Sequence, residues 1–221
     1  MAEVIEIVRR SLHEEVVGRL RAMLVEGRIP PGAKLNEREL CELLKISRTP
    51  LREAIKRMAA EGLVDLLPNR GAVAVKLSEA DVLHTFEVLA DLEGLSGELA
   101  AVRITAAELA QVKALHYEML AAFTRQDLPA YYRLNAQIHA AINAAARNPV
   151  LTKTYGEINA RVQSLRFRTN QNGAKWQQAV KEHERMLEAL EARDSAGLRT
   201  ILIEHLLRKR DTVLELLRAA E

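Results

Sequence analysis

Residues 36–62 read NERELCELLKISRTPLREAIKRMAAEG, and this stretch predicts two short helices separated by the turn Lys45-Ile46-Ser47. In each helix the apolar residues recur at helical spacing, which is typical of one buried stripe. The stripe of the first helix is Leu40, Leu43 and Leu44, and that of the second is Leu51, Ala54, Ile55, Met58 and Ala59. Asn36 is suited to cap the first helix, and Pro50 fits the first turn of the second, where an N–H would lack a partner.

The other face of the second helix is basic. Between Lys45 and Arg57 the chain has five cations and one anion. Two helices joined by a tight turn, with basic and hydroxyl side chains at the start of the second, are typical of a helix-turn-helix. Arg48 and Arg52 lie one turn apart, so both are placed to enter a DNA major groove and pair with guanine. The alternative is a basic, solvated helix face without a nucleic-acid partner.

The residues on either side of this stretch complete a small domain. A helix is predicted over residues 11–26. Beyond the stretch, residues 63–67 and 72–75 predict two short strands around the turn 68–71, which together form a β-hairpin. A hairpin behind a helix-turn-helix is a wing, and Arg70 at its tip is placed to enter the adjacent minor groove or bind a phosphate.

After Lys76 no strand pattern recurs, and the rest of the chain predicts six helices with short connections. Ser78 with Asp81, and Thr105 with Glu108, have the spacing of capping boxes at the start of the first two. The other four are predicted over residues 127–148, 150–170, 176–192 and 195–220, with the turn Gln171-Asn172-Gly173 before the fifth. Consecutive helices with short loops are expected to form an antiparallel bundle.

The composition agrees with a soluble, mainly α protein of two domains. The chain has 221 residues, of which 48% are hydrophobic and 28% charged. Residues 1–76 hold 14 Lys and Arg against 11 Asp and Glu, whereas residues 77–221 hold 18 against 19. We therefore expect an N-terminal winged helix-turn-helix, residues 1–76, joined to an all-α antiparallel six-helix bundle, residues 77–221.

Compartment and redox chemistry are constrained by what the chain contains. Cys41 is the single cysteine, which excludes an intrachain disulfide and predicts a small side chain packed in the first domain. No apolar run approaches the roughly 20 residues of a membrane-spanning helix. The first ten residues, MAEVIEIVRR, lack the apolar core of a signal peptide, so we expect a cytoplasmic protein.

Three histidines of the bundle are candidates for a metal site: His139, His183 and His205. His183 lies 11 residues before Asp194 and His205 lies 10 after Ser195, so the two come level if these helices pack as antiparallel neighbours. Level imidazoles inside a bundle suit a divalent transition ion such as zinc, nickel or manganese. The alternative is a set of hydrogen-bonded histidines without a metal.

The region from Leu12 to Leu77 resembles the winged helix-turn-helix of the GntR family of bacterial transcription regulators. The matching segments are GRIPPGAKLNERELCELLKISRTPLREAIKRMAAEGLV and the wing PNRGAVAV. The resemblance implies a DNA-binding surface in which Arg38 binds the phosphate backbone. The implied DNA contacts are Arg38, Arg48, Thr49, Arg52, Asn69, Arg70 and Gly71.

The region from Leu77 to Glu215 resembles the all-helical FCD effector domain of the FadR branch of that family. The matching segments are LADLEGLSGELAA, LNAQIHAAINAAARNPVL, the EH of KEHERMLEAL and the EHL near the end. In such domains a metal held by four residues helps to bind a small organic acid. The corresponding positions here are Asn135, His139, His183 and His205.

Two positions depart from the family's pattern. Asn135 stands where the family more often has aspartate, so a neutral amide oxygen would replace a charged ligand. Leu89 stands where the family often has an arginine that meets the effector's carboxylate. Arg161 or Arg166 is a candidate replacement for effector binding, although each is expected to be a surface charge.

The sequence therefore predicts a ligand-responsive transcription repressor that binds a near-palindromic operator in double-stranded DNA as a homodimer. Its effector would be a small organic acid or a related metabolite. The alternatives are the same regulator with a metal-free effector pocket, and a metal-dependent hydrolase. Against the hydrolase, no nucleophile motif is present, and Glu182 and Glu204 are expected to point away from a metal held by the adjacent histidines. We therefore expect no enzyme activity.

Overall fold

The computed structural model describes residues 12–168 and 173–219. The chain divides into two compact units between Lys76 and Leu77. The described part of the first contains three helices and a two-stranded sheet, and that of the second contains six helices. The predicted mainly α fold, with a winged helix-turn-helix followed by a helical bundle, is confirmed.

The first unit is a winged helix-turn-helix. Its elements are α1 (Leu12–Val25), α2 (Glu37–Leu44), α3 (Arg48–Ala60), β1 (Val64–Leu67) and β2 (Gly71–Ala74). The side chains of Leu20, Leu51 and Met58 are completely buried and hold α1 and α3 together. The apolar stripe of α3 therefore faces the core, which leaves its basic face outside.

Helix α2 begins and ends where neighbouring residues dictate. The Asn36 side chain accepts hydrogen bonds from the backbone N–H of Arg38, at 3.1 Å, and of Glu39, at 3.5 Å, so the predicted cap is present. Lys45 ends α2 in the left-handed conformation, with φ 56°. The prediction that Leu43 belongs to the buried stripe is wrong, because its side chain is 66% exposed.

The wing is an antiparallel hairpin in which Leu67 pairs with Gly71 at the closed end. Two residues of its turn have positive φ, Asn69 at 57° and Gly71 at 88°, a region that asparagine and glycine adopt most easily. Lys34 bridges Val73 on the other side of β2. The residues of the hairpin turn, 68–71, are all exposed.

The second unit is an antiparallel helical bundle. Its elements are α4 (Glu79–Arg103), α5 (Ala106–Thr124), α6 (Leu128–Ala145), α7 (Pro149–Arg168), α8 (Gly173–Glu191) and α9 (Ser195–Arg218). Both predicted capping boxes are present, at Ser78 before α4 and at Thr105 before α5. Of the turn predicted before α8, Gln171 and Asn172 lie outside the described residues, and Gly173 opens the helix.

The long helices α4 and α9 pack closely along their length. A Cβ atom added at Gly94 would lie 2.8 Å from the Ile203 side chain, and one added at Gly97 would overlap Leu202. The core continues through Met119 and Leu198, which are completely buried. Across residues 12–168 and 173–219, no helix combines the length and the apolar character needed to cross a membrane.

Candidate functional site

The residues predicted to contact DNA are all exposed and lie on three elements of the first unit. Arg38 lies on α2. Arg48, Thr49 and Arg52 lie in the first half of α3, opposite its buried stripe. The wing contributes the remaining three, which are Asn69, Arg70 and Gly71.

A concave surface joins the start of α2, helix α3 and the tip of the wing. It encloses about 640 Å³ and is lined by Arg52, Arg70 and Gly71 together with Lys34 and Glu37. The structure therefore brings three of the predicted residues to one concave surface, Arg52, Arg70 and Gly71, whereas Arg38, Arg48, Thr49 and Asn69 do not line it. Lys34 is a further cation of this surface that the sequence did not single out, since its place there depends on its pairing with β2.

Two of the cations are paired with acidic residues of α2. The Nε atom of Arg52 lies 2.9 Å from Oε2 of Glu37, and the Nε atom of Arg38 lies 3.1 Å from Oε1 of Glu42. Within the described part of the chain, Arg48 and Arg70 have no ion pair. The surface thus presents both paired and unpaired cations.

The bundle brings its three candidate histidines together. His139 comes from α6, His183 from α8 and His205 from α9, and all three are buried, with at most 4% of each residue exposed. Their ring centroids lie 5.1 to 5.4 Å apart. One nitrogen from each ring can be chosen such that all three lie within 4.8 Å of one another, which makes the cluster a candidate metal centre.

Carboxylates lie beside two of the three rings, as a hydrogen bond at His205 and as a close approach without hydrogen-bond geometry at His139. Nδ1 of His139 lies 3.0 Å from Oε2 of Glu93 on α4, and Nδ1 of His205 lies 2.6 Å from Oε2 of Glu182 on α8. Carboxylates that hold metal-binding histidines in this way fix both the ring and the tautomer. The Nε2 atoms of His139 and His205 are consequently left for another partner.

The remaining ring nitrogens are buried and have no hydrogen-bond partner among the described residues. These atoms are Nε2 of His139, Nε2 of His205 and both nitrogens of His183. A buried polar atom without a partner costs about 1–3 kcal/mol. One nitrogen from each of the three rings fits a metal ion that accepts its lone pair, and neutral imidazole is the form that such an ion requires.

The surroundings of His183 and His205 favour the neutral form of both rings. Burial lowers the pKa of His183 well below its usual value, and the other two histidines lower it further. Burial also lowers the pKa of His205 to about 4, although its hydrogen bond to Glu182 opposes the shift. At neutral pH both rings therefore have lone pairs available.

Arg166 of α7 reaches the same region, and its predicted place on the surface is wrong. It is only 4% exposed, and its Nη1 lies 3.7 Å from Oε1 of Glu93 and donates to Asn159 Oδ1 at 2.6 Å. Burial alone would raise the pKa of Glu93, but His139 and Arg166 outweigh it and lower the pKa to about 2. The negative charge of Glu93 therefore offsets the cost of burying Arg166. Arg161 is exposed.

Asn135 lies one turn before His139 on α6 and is buried, with 7% exposed. Its position is therefore compatible with a ligand to the same centre. Leu89, which stands where the family often has an arginine, is completely buried in α4.

Comparison with known proteins agrees with this two-part arrangement. Residues 84–208 match the FCD domain, and residues 12–73 match the bacterial regulatory proteins of the gntR family. The chain belongs to the GntR family. Its FCD domain is the helical bundle that contains the three histidines.

Individual relatives of this GntR-family protein are transcription regulators. It is 24% identical over 89% of its length to the HTH-type transcriptional repressor RspR of Escherichia coli, covering 86% of that protein. It is 29% identical over 90% of its length to the Nta operon transcriptional regulator of Aminobacter aminovorans, covering 92%. The structure of E. coli McbR/YncC matches the fold with a TM-score of 0.83, 23% identity and coverage of 93% of this chain and 98% of that one.

These relatives establish the GntR-family chain as a transcription regulator rather than an enzyme, which confirms that expectation and makes the hydrolase alternative wrong. Glu93 and Glu182, the carboxylates beside the histidines, were not among the predicted site residues. Glu182 was expected to point away from the metal because it is adjacent to His183. It instead contacts His205 on the next helix, a contact that depends on how α8 and α9 pack.

Proposed function

We propose that this regulator is a repressor that binds a near-palindromic operator as a dimer in the cytoplasm, and that a small organic acid bound in the bundle with a divalent metal ion releases it. The observation that carries the proposal is the cluster of buried, unpartnered histidine nitrogens next to a buried arginine. This cluster supports an anion-binding site in the helical bundle, which follows the DNA-binding unit in the chain.

The metal would be held by His139, His183 and His205, with the amide oxygen of Asn135 as a fourth ligand. Three imidazoles suit zinc, nickel or manganese, with positions left for an exogenous ligand. When bound, the ion would supply a Lewis-acidic site for a carboxylate oxygen. Glu182 would keep His205 in the tautomer that leaves Nε2 for the ion, and Glu93 would neutralise charge beside Nδ1 of His139.

The charge of the site favours an anionic effector. Glu93 and Glu182 contribute two negative charges, and Arg166 and Arg208, which lies 2.6 Å from Glu182, contribute two positive ones. A divalent ion held by neutral ligands would add two uncompensated positive charges. A carboxylate is the ligand that offsets them, and we assign Arg166 to the effector's acid group because it is buried beside Glu93, whereas Arg161 is exposed.

Helix α4 supports the proposed dimer. Its outer face carries an apolar stripe at helical spacing: Val88, Leu92, Leu95, Leu99 and Val102. Val88 is 48% exposed and Val102 is 70% exposed, and the three leucines between them are half-buried. A second copy of the chain would bury it, and a dimer places two recognition helices on half-sites one DNA turn apart.

Helix α4 would also link effector binding in the bundle to DNA binding by the first unit. Glu93 on α4 contacts His139 and lies beside Arg166, so an effector that binds the metal and Arg166 changes the contacts of α4. Because α4 follows the wing in sequence, a shift of this helix would alter how the dimer presents its DNA-binding units. The effector acts only through its difference in affinity between the two arrangements.

Metal analysis of the full chain tests the proposed centre. Protein loaded with zinc, nickel or manganese and then desalted is expected to retain one ion per chain. His183→Ala should lose most of it, because both nitrogens of this ring lack another partner. His116→Ala is the matched control, since His116 is also buried with an unpartnered Nδ1 but lies outside the cluster.

Two results would contradict the proposed metal centre. Wild-type protein without a stoichiometric ion, or His183→Ala with undiminished metal content, would exclude the centre and leave a metal-free effector pocket. Genome-wide mapping of bound DNA then tests the regulatory part, because a repressor is expected to occupy a small set of sites with a shared palindromic sequence.

A further inference from the structure

Arg52, a proposed DNA contact, is held by a carboxylate of the neighbouring helix. Its Nε donates to both carboxylate oxygens of Glu37, at 2.9 Å to Oε2 and 3.1 Å to Oε1. The pair joins the start of α2 to the first half of α3. Within the described residues Arg52 has no other side-chain partner, so the N–H groups of its two terminal nitrogens remain available.

The ion pair with Glu37 restricts the orientation of the Arg52 guanidinium. The group is planar, so an Nε atom bound to a fixed carboxylate defines the plane in which the terminal nitrogens lie. Bidentate recognition of guanine requires both of its donors to meet O6 and N7 in one plane. An arginine that is already oriented loses less side-chain freedom when it binds.

The surroundings of the pair indicate why an anion is present on this surface. Glu37 and Arg52 line the same concavity as the cations Lys34 and Arg70. A carboxylate there opposes phosphate binding, so it weakens attraction to DNA of any sequence. Two features offset this cost, the contact of Glu37 with Arg52 and its place as an acidic residue in the first turn of α2.

We propose that Glu37 is a positioning residue that fixes the guanidinium of Arg52 for bidentate recognition of one guanine of the operator. The proposal rests on the operator binding proposed above. Glu37 does not touch DNA in this role. It raises the preference for the correct base and lowers affinity for unrelated DNA.

The test uses a consensus duplex selected from random DNA by the full-length protein. Each guanine is replaced in turn by 7-deazaguanine, which removes N7, and the loss of affinity is measured for each protein. Arg52→Ala identifies the guanine that Arg52 recognises, because the penalty for that replacement disappears. Glu37→Ala is expected to reduce the same penalty at least about fivefold, within the range of one bidentate contact, and to leave the penalties at other guanines unchanged.

Two further variants separate positioning from charge. Glu37→Gln keeps an oxygen that can accept from Nε, so it should retain part of the penalty. Glu53→Gln is the matched control, since it removes an anion of α3 that pairs with Lys56 at 2.8 Å instead of with Arg52. It should raise the affinity for every duplex by the same factor and keep the full penalty.

The outcomes distinguish the two levels of the proposal. If Glu37→Ala keeps the full penalty at the guanine of Arg52, or weakens all duplexes equally, Glu37 serves only the stability of α2 and the inference is wrong. If Arg52→Ala leaves every penalty intact, the assigned DNA surface itself is wrong. Selection that yields no consensus sequence would overturn operator binding and this inference together.

Discussion

The orientation of the Asn143 amide follows from its hydrogen bonds. Asn143 Nδ2 donates to Ser96 Oγ at 2.7 Å, and Ser96 Oγ donates to the carbonyl of Leu92 at 2.8 Å. Because the only proton of the hydroxyl goes to Leu92, Ser96 can only accept from Asn143, and the amide cannot be flipped. Asn143 Oδ1 is then buried without a partner among the described residues. This pair lies one helical turn beyond Glu93 and His139.

Ser96→Ala should therefore destabilise the bundle by about 1–3 kcal/mol, because it leaves the Asn143 N–H groups buried without an acceptor. The double variant Ser96→Ala with Asn143→Leu should recover much of this loss, since neither polar partner remains. Fluorescence of Trp176, the single tryptophan, follows urea unfolding of the bundle. Thr124→Ala is the control, as its hydroxyl bonds to Leu120 at an exposed site. A double variant less stable than Ser96→Ala would contradict this interpretation.

The structural role of a residue could be predicted from the sequence where that role depends on its neighbours along the chain. Asn36, Ser78 and Thr105 were recognised as caps because a cap depends on the few residues that follow it. Glu93 was missed because its partners His139 and Arg166 come from two other helices, and no spacing along the chain records that meeting. The burial of Arg166 was missed for the same reason, since only a buried carboxylate makes it favourable.

At the level of helices, the close approach of α4 and α9 depends on two glycines in the middle of α4. Glycine weakens a helix interior, so its presence there implies a packing reason. At Gly97 an added Cβ would overlap Leu202 and lie 3.0 Å from Cγ of Leu198, and both leucines are at most 1% exposed. Neither has room to move. The number and bounds of the helices were predictable from periodicity, whereas this contact was not, because it depends on which faces meet.

Gly97→Ala should destabilise the bundle by about 1–3 kcal/mol through overpacking. Gly156→Ala on α7 is the matched substitution, because nothing lies within 4 Å of its added Cβ. That change should stabilise the protein by up to about 1 kcal/mol, the difference in helix propensity. Urea unfolding followed at Trp176 compares the two. Equal effects of the two substitutions would show that α4 and α9 do not need the close approach.

For the whole molecule, the two units differ in the kind of surface they leave outside. The first unit exposes cations on α3 and the wing, which suits DNA. The second exposes the apolar stripe of α4, which suits a second copy of the chain. The palindromic operator that we propose would use both surfaces at once, because two half-sites bound together supply more contacts than one.

Val88→Asp combined with Val102→Asp should therefore shift the protein from dimer to monomer in sedimentation velocity. Val88 is about half exposed and Val102 is 70% exposed, so the bundle should stay folded by circular dichroism. Affinity for the full operator should fall at least about a hundredfold, toward that for unrelated DNA. Val150→Asp is the control, since Val150 is 74% exposed and lies on α7 rather than on α4. A double variant that remains dimeric would place the interface elsewhere, whereas a monomer with unchanged operator affinity would show that one recognition helix suffices.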